Sequence, residues 1–379
     1  MRTAGADAGR DAVAEARRVV GLYGDPTASW SILIEARLRA RASSAQVRDR
    51  LAALVGQHPH LGLPPDVLSP DEQSWDRARA DFADRPYTSR QPLIRVAVGE
   101  RAPRLLLAAH HGAVDGFGLL ALLGAALDAP VRSGAAGLGE RPARHGFLTS
   151  AALRLGEALW APPGRVAGQG GAAHEAGDAL AAADWPAGHA GHAGSGGHVG
   201  SAGLVAATAR AVRRWNRRHG VPSRRIVAAL GASRRPGAQL APDRRTAFLR
   251  LRLGPRPELA DVQRLLAETP PEPDFPGSGS RLPRLAIRAL SHRLGATFLA
   301  SHLGVVATGG RMGTGDSAGT SGLVESLAFY PTASGRHGLA VGAATCGDTT
   351  TVTARARRTG FNPTAAQELL TMIAEEATR

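Results

Sequence analysis

The segment 104–118 constrains this chain more than any other. An apolar run of strand length, 105–109, delivers two adjacent histidines, His110 and His111, and Asp115 and Gly116 then open the apolar helical segment 117–128. A strand end opening into a loop is where a rigid scaffold can hold a reactive group in a cleft. Histidine suits that place because its unperturbed pKa lets it move protons near neutral pH. Asp115 stands where an N-cap belongs, and Gly116 permits a sharp helix entry. The plainer alternative is two neighbouring histidines without chemistry and an aspartate that only caps. The preceding strand-like segment 92–98 lies at hairpin spacing from 105–109, so the junction is of the strand–loop–helix kind such a site requires.

The rest of the chain mixes both periodicities. Strand-like runs at 30–38, 92–98 and 104–109 alternate with helical runs at 44–56, 117–128 and 147–160. Later come a helix over 203–219, strands at 226–231 and 246–253, helices at 258–268 and 283–294, a hairpin of 338–345 with 349–356 across Cys346, and a terminal helix 363–377. Between the halves, 165–200 is rich in glycine, alanine and histidine, a composition poor in core-forming side chains. It reads as a linker joining residues 1–164 to residues 201–379. Its histidines, His174, His189, His192 and His198, lack carboxylate or thiolate neighbours at ligand spacing, so no metal site is expected. The fold class is α/β, an α+β sandwich in each half.

The single cysteine, Cys346, excludes an intramolecular disulfide and fits a cytoplasmic protein. It reads as a turn or core residue rather than a nucleophile. No secretory leader opens the sequence, and the apolar run 119–127 falls far short of a membrane span. All 46 basic residues are arginine, giving a net charge of +14. Such uniformity reads as compositional bias, so the cluster 210–218 is taken as a solvated helix face. With aromatics at only 4% and no stacking motif, nucleic acid is a disfavoured partner.

The pattern HHxxxDG formed by His110, His111, Asp115 and Gly116 resembles that of the condensation-domain and chloramphenicol-acetyltransferase-like acyltransferase superfamily. Further segments are similar to that family in the same order: 30–39 to its first long strand, 45–61 to its "RHxxLR" helix, 92–98 to "PLxRxxV", 299–305 to "SNxG" and 329–357 to its final hairpin. Gln57 and Gly62 stand where arginines are frequent, and His302 where asparagine is. At 379 residues the chain is also short for the family. The resemblance implies two acyltransferase-like subdomains forming a V-shaped pseudo-dimer, with the histidine loop midway along a central channel.

It also implies function: a free-standing acyltransferase moving an acyl group from a phosphopantetheine thioester, on a carrier protein or coenzyme A, to an amine or alcohol, in natural-product biosynthesis. No bound cofactor is implied. His111 would be the general base, His110 would pack beneath the loop, and Gly116 N–H can assist the oxyanion. Asp115 would hold the loop through an arginine, with Arg95, Arg234 and Arg235 as candidates. Two alternatives stand beside it: a coenzyme-A-dependent O-acyltransferase on a lipid or sugar alcohol, and a non-catalytic binding module of the same fold. Gly315-Asp-Ser-Ala-Gly319 matches the nucleophile elbow of hydrolases, but a glycine-rich loop flanks it and no aspartate lies between Ser317 and His337.

Overall fold

The structure is a computed structural model that describes residues 3–20, 28–89, 91–135, 137–172, 174–186, 200–223, 225–235, 240–273, 293–309, 322–335 and 338–378. Among these residues the strands form two sheets, confirming a mixed α/β architecture. The helix expected over 283–294, the serine motif 315–319 and His189, His192 and His198 lie largely or wholly outside the described residues.

The first sheet is built around β1 (Ser31–Leu38), β2 (Val67–Leu68), β3 (Ile94–Val98) and β4 (Arg104–His110). Alternation along β1 and β4 buries both faces, as period-two side chains require. Ile32, Ile34, Leu105 and Leu107 pack against α2 (Ser44–Gln57) and α4 (Gly116–Leu127). Leu33, Leu106 and Ala108 face the other way, onto Trp75 and Phe82 of α3 (Glu72–Asp84). Side-chain caps fix the starts of these helices: Ser43 accepts from Gln46 N–H, Asp71 from Ser74 N–H and Asp115 from Gly118 N–H. An N-terminal helix, α1 (Thr3–Val20), sets Val13 and Ala16 into the same core as α2 and α4.

The second sheet runs β6-β12-β11-β9-β7-β8, with β6 (Asp178–Pro186), β7 (Ile226–Ser233), β8 (Thr246–Leu253), β9 (Phe298–Thr308), β11 (Leu339–Cys346) and β12 (Thr349–Arg357). Its core is completed by α6 (Ser201–Arg218), which buries Leu204, Val212 and Trp215, and by α8 (Pro363–Ala377), which buries Leu369 and Ile373. The elements α5 (Phe147–Trp160) and α7 (Leu259–Glu268) flank it. Several α6 arginines are occupied: Arg210 and Arg213 bond to backbone carbonyls, and Arg214 pairs with Glu375.

The strands do not follow a division near residue 200. From the later half of the chain, β10 (Val324–Tyr330) pairs antiparallel with β1 and forms the outer edge of the first sheet. From the earlier half, β5 (Val131–Ser133) pairs with β9.

One expectation needs correcting. The stretch 165–200 is not simply a linker, because β6 lies within it and pairs with β12 along its full length. Val166, Ala167, Ala179, Ala181 and Trp185 enter the second core. Asp178, buried, binds Arg355 Nε at 2.6 Å and Arg357 Nη1 at 3.1 Å. Small alanine side chains conceal a strand whose order comes from its neighbours. Residues 187–199 lie outside the described residues.

Candidate active site

The two histidines part at the end of β4. His110 is the last residue of the strand, paired with Ser31 in register, and its ring is buried at 2% exposure. It packs edge-on to Tyr87, with ring centroids 5.2 Å apart. Its Nδ1 accepts the Gly112 N–H at 3.0 Å, which places its own proton on Nε2. Burial, then His111 and nearby arginines, depress its pKa to about 3. His110 is therefore neutral and held from all sides.

His111 begins the loop and is only half-buried. Its N–H donates to the Trp30 carbonyl at 2.7 Å. Its Nδ1 lies 3.2 Å from the Val114 carbonyl, an acceptor only, so the neutral ring carries its proton there and leaves the lone pair on Nε2. Burial and then the Arg244 cation lower the pKa of His111 to about 4, against smaller opposing effects of Val114 and Asp115. At neutral pH the imidazole is an unprotonated base.

Asp115 has a different task. Its carboxylate, 3% exposed, caps α4 through Gly118 N–H at 2.8 Å. Arg235 Nη1 reaches both of its oxygens, at 2.9 and 2.8 Å, while Arg245 N–H and the Thr246 hydroxyl donate to Oδ2 at 2.8 and 3.1 Å. Arg235 in turn donates through Nη2 to the Asp243 carbonyl at 2.7 Å and to the Asp243 carboxylate. Asp115 thus ties Arg235, Arg245 and Thr246, and through Arg235 the residues 241–243, to the histidine loop. His60 Nε2 supports that segment from the other side, 2.7 Å from the Pro242 carbonyl.

Of the three arginines offered as partners of Asp115, the structure selects Arg235. Arg95 instead donates to the carbonyls of Phe82 and Pro86 and stacks 3.8 Å over the Tyr87 ring. Arg234 joins the adjoining backbone, its N–H donating to the Arg245 carbonyl.

Gly116 is the first residue of α4. It does not adopt a left-handed conformation. It is small because a Cβ there would lie 2.7 Å from Leu303 Cδ2 on β9 and 3.2 Å from Phe329 Cζ on β10. Gly112 is tighter still, since a Cβ would come within 2.0 Å of the Ala16 carbonyl oxygen on α1. His302, on β9, accepts the Gly304 N–H at 3.2 Å. Cys346 is buried at the end of β11, where burial pushes its thiol up to about 12, so it is no nucleophile at neutral pH. No cluster of three metal-ligating side chains occurs among the described residues, and His174 is exposed.

Arg244 and Trp30 escaped the sequence reading. Arg244 stands in an arginine-rich run with nothing to mark its proximity to a histidine 133 positions earlier. Trp30 reads simply as the first residue of the strand-like run 30–38.

The sequence matches no protein-family model and no curated protein. Solved structures do match. A mutant starter condensation domain of rhizomide synthetase RzmA, in complex with C8-CoA and Leu-SNAC, shares 15% identity at a TM-score of 0.57, covering 97% of this chain and 92% of that one. The first condensation domain of the calcium-dependent antibiotic synthetase, with substrate analogue 2a, shares 16% at 0.56, covering 98% and 95%. The chain has the condensation-domain fold. The EpoB cyclization-docking bidomain from Sorangium cellulosum shares that fold as well, with 14% identity, a TM-score of 0.57, and coverage of 97% of this chain and 83% of that one.

Proposed function

We propose that this protein is a condensation-type acyltransferase, moving an acyl group from a phosphopantetheine thioester to an amine or alcohol in natural-product assembly. The observation that carries the reading is the protonation geometry of His111: Nδ1–H is committed to the Val114 carbonyl, and Nε2 is left as an unprotonated base. The fold supplies context, since one neighbour was captured with an acyl-coenzyme A and an aminoacyl thioester.

In this mechanism the acceptor N–H or O–H donates to His111 Nε2 as its heteroatom attacks the thioester carbonyl carbon. The new C–N or C–O bond forms, the carbonyl becomes an oxyanion, and its collapse breaks the C–S bond. The imidazolium then returns the proton to the departing thiolate, leaving a free thiol and restoring the neutral ring. General-base help of this kind contributes about 10²–10⁴-fold, and orienting the two substrates contributes the remainder. Asp115 acts through the loop it holds rather than on substrate, because its oxygens are taken by Arg235, Arg245, Thr246 and Gly118.

The test is thiol release from acyl-coenzyme A in the presence of an amine or alcohol, compared between wild type and His111→Ala. The variant is expected to keep its circular dichroism and melting temperature and to lose about two to four orders of magnitude in turnover, the range of a missing general base. Undiminished transfer by folded His111→Ala would overturn the mechanism. Tight thioester binding with no transfer even by wild type would favour a binding module.

A further inference from the structure

The helix α5 is built inside out. Its two charged residues, Arg154 and Glu157, share the face turned towards the body of the protein. Glu157 is buried, and its Oε1 accepts from Arg225 Nη2 at 3.0 Å while Oε2 meets Arg250 Nη2 at 2.9 Å. Arg154, half-buried, donates through Nη2 to Glu272 at 2.8 Å. The opposite face is apolar. Leu148, Ala152, Leu155 and Leu159 recur along it at helical spacing, with Leu153 and Trp160 beside them. All six are exposed, Leu148 to 80% and Trp160 to 82%. A helix packed on a core does the reverse. Single exposed apolar side chains need no explanation, whereas a contiguous run of them marks a surface that meets something.

The surrounding charge selects the partner. Arg154, Arg225, Arg250 and Arg252 gather about two carboxylates, Glu157 and Glu272, so the seat of the helix carries surplus positive charge. Arg252 is largely exposed. So are Arg144 and Arg165, the nearest formally charged residues in sequence on either side of α5. A second copy of the chain would bring like-charged borders together, on molecules of net charge +14. An anionic lipid surface attracts the same borders. Shape agrees, because side chains exposed to this degree stand on a ridge, and a ridge sinks into a fluid bilayer without a matching groove. With 14 residues α5 is about 21 Å long, too short to cross a hydrocarbon core of ~30 Å, so its place is in the plane of the interface.

We propose that α5 seats the protein on an anionic lipid surface, with its leucines and Trp160 at the boundary of acyl chains and headgroups and the bordering arginines on the lipid phosphates and carboxylates. This goes beyond the acyltransferase reading and stands or falls without it.

The test is flotation of the full chain with vesicles of phosphatidylcholine alone or of an equimolar phosphatidylcholine–phosphatidylserine mixture. Wild type is compared with the double variant Leu148→Ser/Trp160→Ser, expected to melt with wild type because both positions are exposed, and with Trp160→Phe. Wild type should float with the mixed vesicles, keep part of that binding in high salt, and show a blue-shifted tryptophan emission. The double variant should lose about tenfold in partition coefficient for each side chain replaced, the order expected when a large apolar side chain returns to water. Trp160→Phe should float without the blue shift. Absence of wild-type flotation overturns the proposal, and so does equal flotation of the double variant, which would mean binding by net charge alone. Equal flotation with both kinds of vesicle overturns the part given to the arginines. A wild-type dimer in sedimentation velocity that the double variant dissolves would give the face to a second copy instead. Binding of a purified, acidic acyl carrier protein that the double variant abolishes, without flotation of wild type, would give it to a protein.

Discussion

A histidine that titrates near pH 4 is unprotonated throughout the physiological range, so His111 needs no deprotonation before it acts. The cost is basicity, and Arg244 contributes to that cost. The acidic limb of kcat/KM against pH is therefore expected near pH 4 rather than near the ordinary histidine value of about 6.5. Removing a cation that opposes imidazolium formation must raise the pKa, so Arg244→Ala should move that limb upward. An unmoved limb in a folded, active variant would remove Arg244 from the electrostatics of His111. The same depression bears on stability. His110 and His111 both hold folded-state values below the unfolded one, so their neutral burial is compatible with folding above about pH 6.5 and becomes a liability as pH falls toward about 4 and then 3. Acid denaturation should accordingly begin at a higher pH than in a variant carrying Phe at position 110, which can be followed by near-ultraviolet circular dichroism.

Among the elements, α4 is tied at its start to the later half of the chain. Its cap, Asp115, simultaneously anchors Arg235, Arg245 and Thr246. Asp115→Asn should cost about 3–5 kcal/mol, since the buried Arg235 loses its buried carboxylate partner and keeps only the more exposed Asp243. Urea titration would measure this, and an unchanged midpoint with lost activity would instead move Asp115 into the chemistry. Much of this arrangement was legible beforehand. The strand 104–109, the helix 117–128 and the cap between them follow from local pattern, and β1, β7, β8, β11, β12, α2, α5, α6 and α8 emerged within a few residues of their bounds. What local pattern could not provide was partnership. Arg95, Arg234 and Arg235 were equal candidates until the fold brought one of them 2.8 Å from Asp115. The strand β6 was invisible because four alanines and a leucine between Asp178 and Asp184 carry little intrinsic β preference, and pairing with β12 supplies the order. The helix α3 was missed because its charged residues hide a seven-residue spacing of Trp75 and Phe82.

Across the whole molecule, the two sheets are fastened by a buried polar joint. Arg355 on β12 donates to Asp178 on β6 and to the carbonyls of Ser31, the first residue of β1, and of Ala83 on α3. Beside it, Asp84 accepts the Asp178 N–H at 2.9 Å, and burial followed by the Asp178 charge raises its pKa to about 6. A carboxyl whose folded pKa lies above its unfolded value weakens the fold when ionised and ceases to do so once protonated. Asp84→Asn keeps the acceptor oxygen and removes the charge. It should stabilise the protein at pH 8 by about 1–2 kcal/mol, allowing for solvent screening of a partly exposed group, and by much less at pH 4.5. Denaturant midpoints at the two pH values would check this, and no gain at pH 8 would refute it. The placement of β10 has a consequence for how the protein is made. On the ribosome, β1 emerges early, but its edge partner is encoded about 290 residues later, which corresponds to roughly 15–60 s of synthesis at about 5–20 residues per second. For that interval the nascent first sheet offers an unpaired apolar edge, so expression yield should depend on chaperone supply and on translation speed between the codons for Leu38 and Val324.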